Sequence, residues 1–296
     1  MESHSSTGQV QNPLQISALI RLLRPRQWIK NGFVLAPLIF TGLFTDLLAV
    51  QHAVLALLLF CLASSAAYIV NDLRDIERDR QHPEKSRKRP LASGEVREYH
   101  TFILLALLYL LLGSGLLFLP ALTPVIVAYL ILNLAYSLYL KHQPVLDIFS
   151  IASGFVLRVV AGAVTLAVPL SNWMFVTTFC LALYLAAIKR RQELLHSGEA
   201  GRQVLENYSV QLVDRYAEMA ATGALLFYSL FVMQEKPQLV ITIPLVLFGL
   251  FRYWFIVERQ AGGESPTDAM LSDLPLVCTV LLWVAISGWV MLGGGL

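Results

Sequence analysis

Long apolar runs separated by short polar connections fill most of the chain after residue 29. Each run is close to the roughly 20 residues that an α-helix needs to cross a bilayer. The pattern therefore predicts an all-α integral membrane protein with nine transmembrane helices. We expect them over residues 30–50, 52–71, 101–119, 121–140, 146–168, 171–189, 216–234, 238–257 and 274–294.

The polar N-terminus precedes these runs and contains no apolar core of a cleaved signal peptide. Within it, Ile16-Ser-Ala-Leu-Ile-Arg-Leu-Leu has the spacing of a short amphipathic helix, which we expect to lie on the membrane interface. We therefore divide the chain into a cytoplasmic segment, 1–29, and a transmembrane domain, 30–296.

Composition agrees with a membrane protein, since 56% of the residues are hydrophobic and only 14% are charged. A soluble domain is closer to about 25% charged. All three cysteines fall inside predicted spans, where they are expected to be buried as small apolar side chains. We expect neither a disulfide nor a cysteine metal site.

The lysines and arginines are distributed very unevenly. If the N-terminus is cytoplasmic, all 22 of them lie in or beside the inner connections except Lys236 and Arg158. Positive charge marks the cytoplasmic side of membrane proteins. The predicted orientation therefore places the polar connections, and any chemistry, on the cytoplasmic face of the plasma membrane.

The first inner connection begins with Asn71-Asp72-x-x-Asp75-x-x-x-Asp79, directly at the end of the second span. On a continuing helix the three carboxylates lie within about 60° of one another. Mg²⁺ prefers one or two carboxylates together with phosphate oxygens, and carboxylates at a membrane boundary are costly. We therefore predict that Asp72, Asp75 and Asp79 bind Mg²⁺ and that Asn71 helps to hold a diphosphate. A solvated helix end with i,i+4 charge pairs is the alternative.

A basic run follows this motif. It contains Lys85, Arg87, Lys88 and Arg89 and ends in Pro90-Leu-Ala-Ser-Gly94, a turn toward the third span. Lys85, Arg87 and Arg89 are candidates for binding phosphate. The same charges would also be expected from the positive-inside rule alone, and both interpretations stay open.

Together, the aspartate row and Lys88-Arg89-Pro90-Leu-Ala-Ser-Gly94 resemble the UbiA superfamily of intramembrane prenyltransferases. The resemblance covers nearly the whole chain. It implies a nine-helix bundle whose central cavity opens to the cytoplasm and to lipid. Mg²⁺ and a diphosphate would lie at the mouth of that cavity.

The segment after the sixth span departs from the superfamily pattern. Most members carry a second motif, Asp-x-x-x-Asp, where this chain has Lys189-Arg190-Arg191-Gln192-Glu193. On a helix Lys189 and Glu193 share a face. We expect this half of the site to bind an anion directly, with Lys189 and Arg190 as catalytic residues and Glu193 beside them. An ordinary stop-transfer cluster is the alternative.

This substitution resembles the branch of the superfamily that uses a polyprenyl phosphate, decaprenyl phosphate, as acceptor. Arg24-Pro25-x-Gln27-Trp28-x-Lys30-Asn31 and Leu157-Arg158-Val-Val-Ala-Gly162 support the same branch, as does Glu264-Ser-Pro-Thr-x-x-Met-Leu-Ser-Asp273. The resemblance implies transfer of 5-phosphoribose from phosphoribosyl diphosphate to the lipid, with release of diphosphate, for cell-envelope arabinan precursors.

Further candidates for substrate binding are Lys30, Tyr136, Arg158 and Tyr208. Arg158 is charged within a span, at a cost of at least about 2.5–3.5 kcal/mol. It therefore faces a wet cavity and a phosphate, or it pairs with a buried carbonyl or carboxylate. Lys30 is also explained as an interface anchor, and Tyr208 as part of a surface turn.

Three more aspartates have less definite roles. Asp147 follows Pro144 at the start of the fifth span, where a capping role and a functional role are about equally favoured. Asp273 is interpreted as a helix-start residue. Asp268 and Asp273 have the wrong spacing and position for the missing acidic motif.

Two other functions are compatible with parts of the pattern. One is prenyl transfer from a prenyl diphosphate to an aromatic acceptor, which the absence of a second acidic motif disfavours. The other is a transporter or a non-catalytic lipid-binding protein, which would be expected to show repeats and broken helices. We expect no nucleic-acid partner, and an oligomer is possible.

Overall fold

The computed structural model describes residues 16–81, 85–196, 203–259 and 272–293. Within these ranges the chain is helical. Its α-helices are α1 (Ile16–Leu23), α2 (Ala36–Thr41), α3 (Leu47–Arg74), α4 (Ile76–Gln81), α5 (Lys85–Lys88), α6 (Glu98–Leu116), α7 (Thr123–Leu138), α8 (Leu146–Thr165), α9 (Asn172–His196), α10 (Val210–Glu235), α11 (Ile243–Arg259) and α12 (Leu274–Met291).

Shorter 3-10 helices connect several of them. They cover Pro25–Leu35, Leu43–Thr45, Pro120–Leu122, Leu140–His142, Gln203–Asn207 and Pro237–Thr242. The 3-10 helix Pro120–Leu122 leads directly into α7, and Pro237–Thr242 leads into α11. In both cases proline stands at the first position, where its missing N–H is not needed.

Eight helices in the described ranges are long and apolar enough to cross a membrane. They correspond to the second through ninth predicted spans and confirm an all-helical, multi-pass membrane protein. The predicted first span, 30–50, is not one helix. It is divided among the 3-10 helix Pro25–Leu35, the six-residue α2 and a turn, and α3 begins already at Leu47.

Two of the spans form the centre of the bundle. More than half of the apolar window is buried in α3 (56%) and in α8 (61%), whereas only 17% is buried in α6. The central helices are therefore the ones that carry the aspartate row and Arg158. Helices such as α6 expose apolar side chains around the outside, as expected for surfaces that face lipid.

The 3-10 helix Pro25–Leu35 packs closely on α8 at Gly162. A Cβ at Gly162 would collide with the backbone carbonyl of Val34, so the contact requires glycine. Nearby, Asn31 is completely buried and accepts a hydrogen bond from Arg158 Nε at 2.8 Å. The irregular first span is thus fixed against the bundle centre.

Helix α1 lies where the sequence predicts it, residue for residue. Ala18 and Leu22 are buried against Ala66 and Ile69 of α3. Ile16 is exposed on the opposite side. This second apolar side is compatible with the predicted position on the membrane interface.

Candidate functional site

The aspartate row begins inside α3 and continues past its end. Asp75 has φ −91° and ψ 8°, which ends α3 at Arg74, and α4 starts at Ile76. Helical hydrogen bonds still cross the break, from Asp75 N to Asn71 O at 3.0 Å and from Asp79 N to Asp75 O at 2.8 Å. The predicted continuous helix is therefore interrupted at one residue, and the three carboxylates keep roughly their helical spacing.

Asp72 and Asp79 are both buried, with 3% of each residue exposed, and they meet at one cation. Arg89 Nη1 lies 2.8 Å from Asp72 Oδ1 and also forms an ion pair with Asp79. Arg24 Nη2 lies 2.6 and 2.8 Å from the two oxygens of Asp72. Two guanidinium groups from different segments therefore bind one buried carboxylate.

Asp75 points to a different partner. Lys141 Nζ lies 2.9 Å from both of its carboxylate oxygens, and one helical turn earlier Ser137 donates a hydrogen bond to Asn71 Oδ1 at 3.0 Å. Lys141 itself is buried. The predicted row is thus divided. Asp72 and Asp79 form ion pairs with Arg89, whereas Asp75 forms one with Lys141.

Two of the three predicted metal ligands, Asp72 and Asp79, are placed so that both could bind one cation. The oxygens of Asp72 and Asp79 converge on a single nitrogen of Arg89, and carboxylate oxygens suit Mg²⁺. In the part of the chain that the structure describes, however, no three His, Cys, Asp or Glu side chains are grouped closely enough to bind a metal. The row as it stands is neutralised by three cations of the protein.

Arg24 reaches Asp72 from a strained backbone. Its φ of 55° and ψ of 57° are left-handed, although it precedes Pro25 and is not glycine. Such conformations cost on the order of 1–3 kcal/mol and persist where the surroundings fix them. The contact of Arg24 Nη2 with both oxygens of Asp72 is one such constraint, and it makes Arg24 part of the site.

The second half of the site centres on Arg190 in α9. Arg190 and Asp147 have no exposed side-chain surface, and Arg190 Nε lies 3.2 Å from Asp147 Oδ2. Arg190 also pairs with Glu193, three residues along the same helix. The Tyr208 hydroxyl donates a hydrogen bond to Asp147 Oδ1 at 2.7 Å. Arg190 therefore contacts two carboxylates, and of these only Asp147 is fully buried.

A tight turn positions Asp147. Val145 has φ 69° and ψ −45°, and Leu146 N donates to Pro144 O at 2.8 Å, which together define a γ-turn of the rare, strained type. The Val145 N–H donates to the Tyr208 hydroxyl at 2.5 Å. Burial raises the pKa of Tyr208, and the hydrogen bond to Asp147 raises it further. The hydroxyl therefore keeps the proton that it donates to Asp147.

Arg191, the next residue of α9, also forms ion pairs. Arg191 contacts Asp214 of α10 at 2.7 Å and Glu258 of α11 at 2.6 Å. Carboxylates from three other helices therefore contact these two arginines. Direct anion binding at Lys189 and Arg190 stays a prediction, and in this structure Arg190 and Arg191 are paired with carboxylates that are distant in sequence.

One short connection joins the two halves. Lys141, which contacts Asp75, and Asp147, which contacts Arg190, are six residues apart. Even a fully extended chain of that length spans only about 20 Å. The aspartate row and the Arg190 cluster therefore lie at the same end of the bundle.

Arg158 lies deeper, within α8. Its guanidinium donates to Asn31 Oδ1, to Gly154 O at 2.6 Å and to the Tyr129 hydroxyl at 3.1 Å, and it lies over the rings of Phe60, Tyr129 and Phe155. Pairing with a buried carbonyl, one of the two interpretations from the sequence, is therefore what the structure contains. A phosphate contact of Arg158 has no support in these contacts.

The remaining candidates differ in exposure. Lys30, Tyr136 and Lys189 are half-buried, whereas Arg87 is exposed. Tyr208 is buried and its hydroxyl is used by Asp147 and Val145, so a contact with ribose is not supported. The side chain of Lys85 and all of Asp268 lie outside the described residues.

Sequence reasoning does not identify the roles of Arg24 and Lys141, and it leaves the role of Asp147 open. Arg24 enters the sequence argument only within Arg24-Pro25-x-Gln27-Trp28-x-Lys30-Asn31, and Lys141 has no predicted role. The nearest signal was the spacing of Ser137 and Lys141, which matches that of Asn71 and Asp75. Asp273 does begin a helix as predicted, since it accepts a hydrogen bond from Leu276 N at 2.9 Å and pairs with Arg252.

The family model described as UbiA prenyltransferase family matches residues 34–274. The chain therefore belongs to the UbiA prenyltransferase family. It is 35% identical over 286 residues to a decaprenyl-phosphate phosphoribosyltransferase of Mycobacterium tuberculosis, covering 92% of this chain and 94% of the relative. The enzyme of the same name from Corynebacterium glutamicum is 36% identical over 283 residues, covering 90% and 84%.

Solved structures agree on the fold. A UbiA homolog from Archaeoglobus fulgidus, bound to GPP and Mg²⁺, aligns with a TM-score of 0.73 at 21% identity, covering 93% of this chain and 99% of that one. At this level of identity the likeness establishes the helical architecture alone.

Proposed function

We propose that this protein transfers 5-phosphoribose from phosphoribosyl diphosphate to a polyprenyl phosphate such as decaprenyl phosphate, and releases diphosphate. The observation that carries the proposal is the identity of about 35%, over nine tenths of both chains, to enzymes named decaprenyl-phosphate phosphoribosyltransferase. The chain would thereby serve the synthesis of cell-envelope arabinan precursors.

The first half of the site suits the leaving diphosphate. Asp72 and Asp79 would hold Mg²⁺, with Asp75 close by, and the metal would supply charge neutralisation for the diphosphate. Arg24 and Arg89, which now pair with Asp72 and Asp79, and Lys141, which pairs with Asp75, would supply positive charge to the diphosphate oxygens when the metal is bound.

The second half of the site, around Lys189 and Arg190, would bind the 5-phosphate of phosphoribosyl diphosphate. Lys189 is our proposed contact for it, as the sequence predicts. Arg190 is already balanced by Asp147 and Glu193, so we assign it to holding this turn of α9 in position. Glu193 contacts Nη1 of Arg190, whereas Nη2 of Arg190 is buried without a hydrogen-bond partner among the residues that the structure describes.

The reaction itself requires little proton transfer. An oxygen of the ionised lipid phosphate forms a bond to C1 of the ribose, and the bond from C1 to the diphosphate oxygen breaks. The transition state has the oxocarbenium character of glycosyl transfer. The positive groups around the departing diphosphate stabilise its developing charge, and no strong general base is needed.

We propose that the chain crosses the membrane nine times, with a cytoplasmic N-terminus and the site at the cytoplasmic mouth of a cavity in the plasma membrane. The crossing additional to the eight long helices would be the first along the chain, Pro25–Thr41. Its 11 residues of 3-10 helix and six of α-helix cover about 31 Å, against a hydrocarbon core about 30 Å thick. The catalytic domain would then begin with this crossing at Pro25, five residues before the predicted boundary at residue 30.

Prenyl transfer to an aromatic acceptor is the second candidate, because the Archaeoglobus structure contains GPP and Mg²⁺. A single assay separates the two. Purified protein in detergent is incubated with phosphoribosyl diphosphate labelled in the ribose, a polyprenyl phosphate and Mg²⁺. Lipid-extractable label supports our proposal. Turnover of a prenyl diphosphate with an aromatic acid, without lipid-linked label, would contradict it, and neither reaction would point to a transporter or lipid-binding protein.

A further inference from the structure

Tyr208 joins two connections at the end of the bundle that carries the aspartate row. It follows the 3-10 helix Gln203–Asn207, in the connection between α9 and α10. That short helix packs against the 3-10 helix Leu140–His142 and against α9, and Val204 and Leu205 within it are buried. Tyr208 is buried in the same apolar cluster. Apolar packing therefore fixes the position of its ring independently of its hydroxyl.

The Tyr208 hydroxyl forms two hydrogen bonds with the connection that leads from Lys141 to α8. It accepts from the Val145 N–H at 2.5 Å and donates to Asp147 Oδ1 at 2.7 Å. These partners are 63 and 61 residues away from it in the sequence. One hydroxyl thus ties both the γ-turn and the first carboxylate of α8 to the connection between α9 and α10.

The turn at Val145 needs support from outside. Its φ of 69° and ψ of −45° lie in a region that β-branched residues rarely adopt. A backbone conformation of this kind persists only where the surroundings fix it. The hydrogen bond from the Val145 N–H to a buried hydroxyl of a distant segment is such a constraint. We therefore expect the turn to relax when the hydroxyl is removed.

The turn lies between the two halves of the proposed donor site. Lys141, four residues before the centre of the turn, contacts Asp75 of the aspartate row at 2.9 Å. Asp147, two residues after it, contacts Arg190 at 3.2 Å, and Arg190 holds the turn of α9 that carries Lys189. A relaxed turn would therefore change the distance between these two contacts, although each contact could still form.

A ligand with a charged group at each end depends on that distance. When one end is bound, the other end has a high local concentration, but only if the second contact lies at the right separation. Each end alone needs only its own half of the site. Control of the separation therefore affects the affinity for the whole ligand and not the affinities for its two parts.

We propose that Tyr208 is a positioning residue that fixes the separation of the two halves of the donor site through the turn at Val145. The inference rests on the proposed function for the identity of the donor, phosphoribosyl diphosphate. It adds that preference for a donor with a phosphate group at each end, over diphosphate alone, depends on a hydroxyl that does not touch the substrate.

The test is Tyr208→Phe, with dissociation constants measured in detergent and Mg²⁺ for phosphoribosyl diphosphate, inorganic diphosphate and ribose 5-phosphate. We expect the affinity for phosphoribosyl diphosphate to fall about tenfold, as is typical for loss of a hydrogen bond to a charged group. The affinities for the two fragments should stay within about twofold of the wild type. Equal losses for all three probes, or no loss for the whole donor, would overturn the inference.

The control is Tyr228→Phe, in a tyrosine about 27 Å along α10 from Val210. Tyr228 is also buried, and its hydroxyl also makes two hydrogen bonds, with Thr242 at 2.6 Å and with Trp283 at 2.9 Å. Both variants should melt at a lower temperature, but only Tyr208→Phe should lose affinity for the donor. An equal loss of that affinity in Tyr228→Phe would show a general effect of stability and overturn the inference.

A second variant tests the path through the turn. Glycine adopts positive φ without strain, so Val145→Gly in the Tyr208→Phe background should restore most of the affinity for phosphoribosyl diphosphate. No recovery would overturn the inference, because the hydroxyl would then not act by holding the strained turn.

The same measurements separate this inference from the proposed function. Wild-type protein that binds phosphoribosyl diphosphate no more tightly than inorganic diphosphate would contradict both. Tight wild-type binding that Tyr208→Phe does not weaken would overturn the inference alone. A selective loss in Tyr208→Phe, without ribosyl transfer to lipid by the wild type, would support the inference while the proposed reaction fails.

Discussion

The buried pair of Asp147 and Arg190 gives the sharpest quantitative prediction. Asp147→Asn keeps the shape of the side chain and its contact with Tyr208, but removes the charge that faces Arg190. Both side chains of the pair are fully buried. Removing one partner of such a pair costs about 3–5 kcal/mol, because the other charge stays in a medium of low polarity.

The structure places the expected cost at the lower end of that range. Glu193, whose side chain is 22% exposed, also contacts Arg190 and compensates part of the lost charge. We expect the free energy of unfolding to fall by about 3 kcal/mol. Since each kcal/mol shifts the melting temperature by about 2–4 °C, the melting temperature should fall by roughly 6–12 °C. We expect this shift in thermal unfolding of the detergent-purified protein.

The control is Glu258→Gln, which removes a partner of Arg191 at a side chain that is 58% exposed. Exposed ion pairs contribute about 0–1 kcal/mol, so its melting temperature should change by no more than about 4 °C. If Asp147→Asn melts within that same margin of the wild type, Arg190 is not held by the charge of Asp147. The double variant Asp147→Asn/Arg190→Met should recover most of the loss, because it leaves no unpaired buried charge and keeps the hydrogen-bond acceptor of Tyr208.

Three further predictions concern the site and the packing. Asp72→Asn and Asp75→Asn should each lower Mg²⁺-dependent turnover by about 10²-fold or more while the protein remains folded. A near-normal rate would remove that residue from the metal and diphosphate site. Gly162→Ala should destabilise the protein by about 1–3 kcal/mol, since its Cβ meets a backbone carbonyl. Its control, Gly249→Ala, should be neutral or stabilising, because the added Cβ meets nothing within 4 Å. Equal melting temperatures of the two variants would contradict the packing. Lys189→Ala should raise the KM for phosphoribosyl diphosphate, and unchanged kinetics would return it to a stop-transfer role.

Most of the fold follows from the sequence because apolar runs of membrane length leave few alternatives. Eight helices and the short α1 lie where these runs predict them. The first span does not, because an apolar pattern does not distinguish α-helical from 3-10 hydrogen bonding. The close contact between Gly162 and Val34, 128 residues apart, is likewise absent from any local pattern.

The site was predictable only where it is local in sequence. The aspartate row is one short segment, so its spacing is visible. Its partners Arg24 and Lys141 are 48 and 66 residues away, and only the folded chain brings them there. For the same reason the basic run at Arg190 predicts an anion site, whereas its ion pairs with Asp147, Asp214 and Glu258 are not visible in the sequence.

The most direct test of the proposed reaction counts both products. Purified protein, Mg²⁺, a polyprenyl phosphate and phosphoribosyl diphosphate labelled in the ribose should yield lipid-linked label and free diphosphate in a one-to-one ratio, and Asp72→Asn should abolish both. Diphosphate released without lipid-linked ribose, or prenyl transfer from a prenyl diphosphate in its place, would contradict the proposed function.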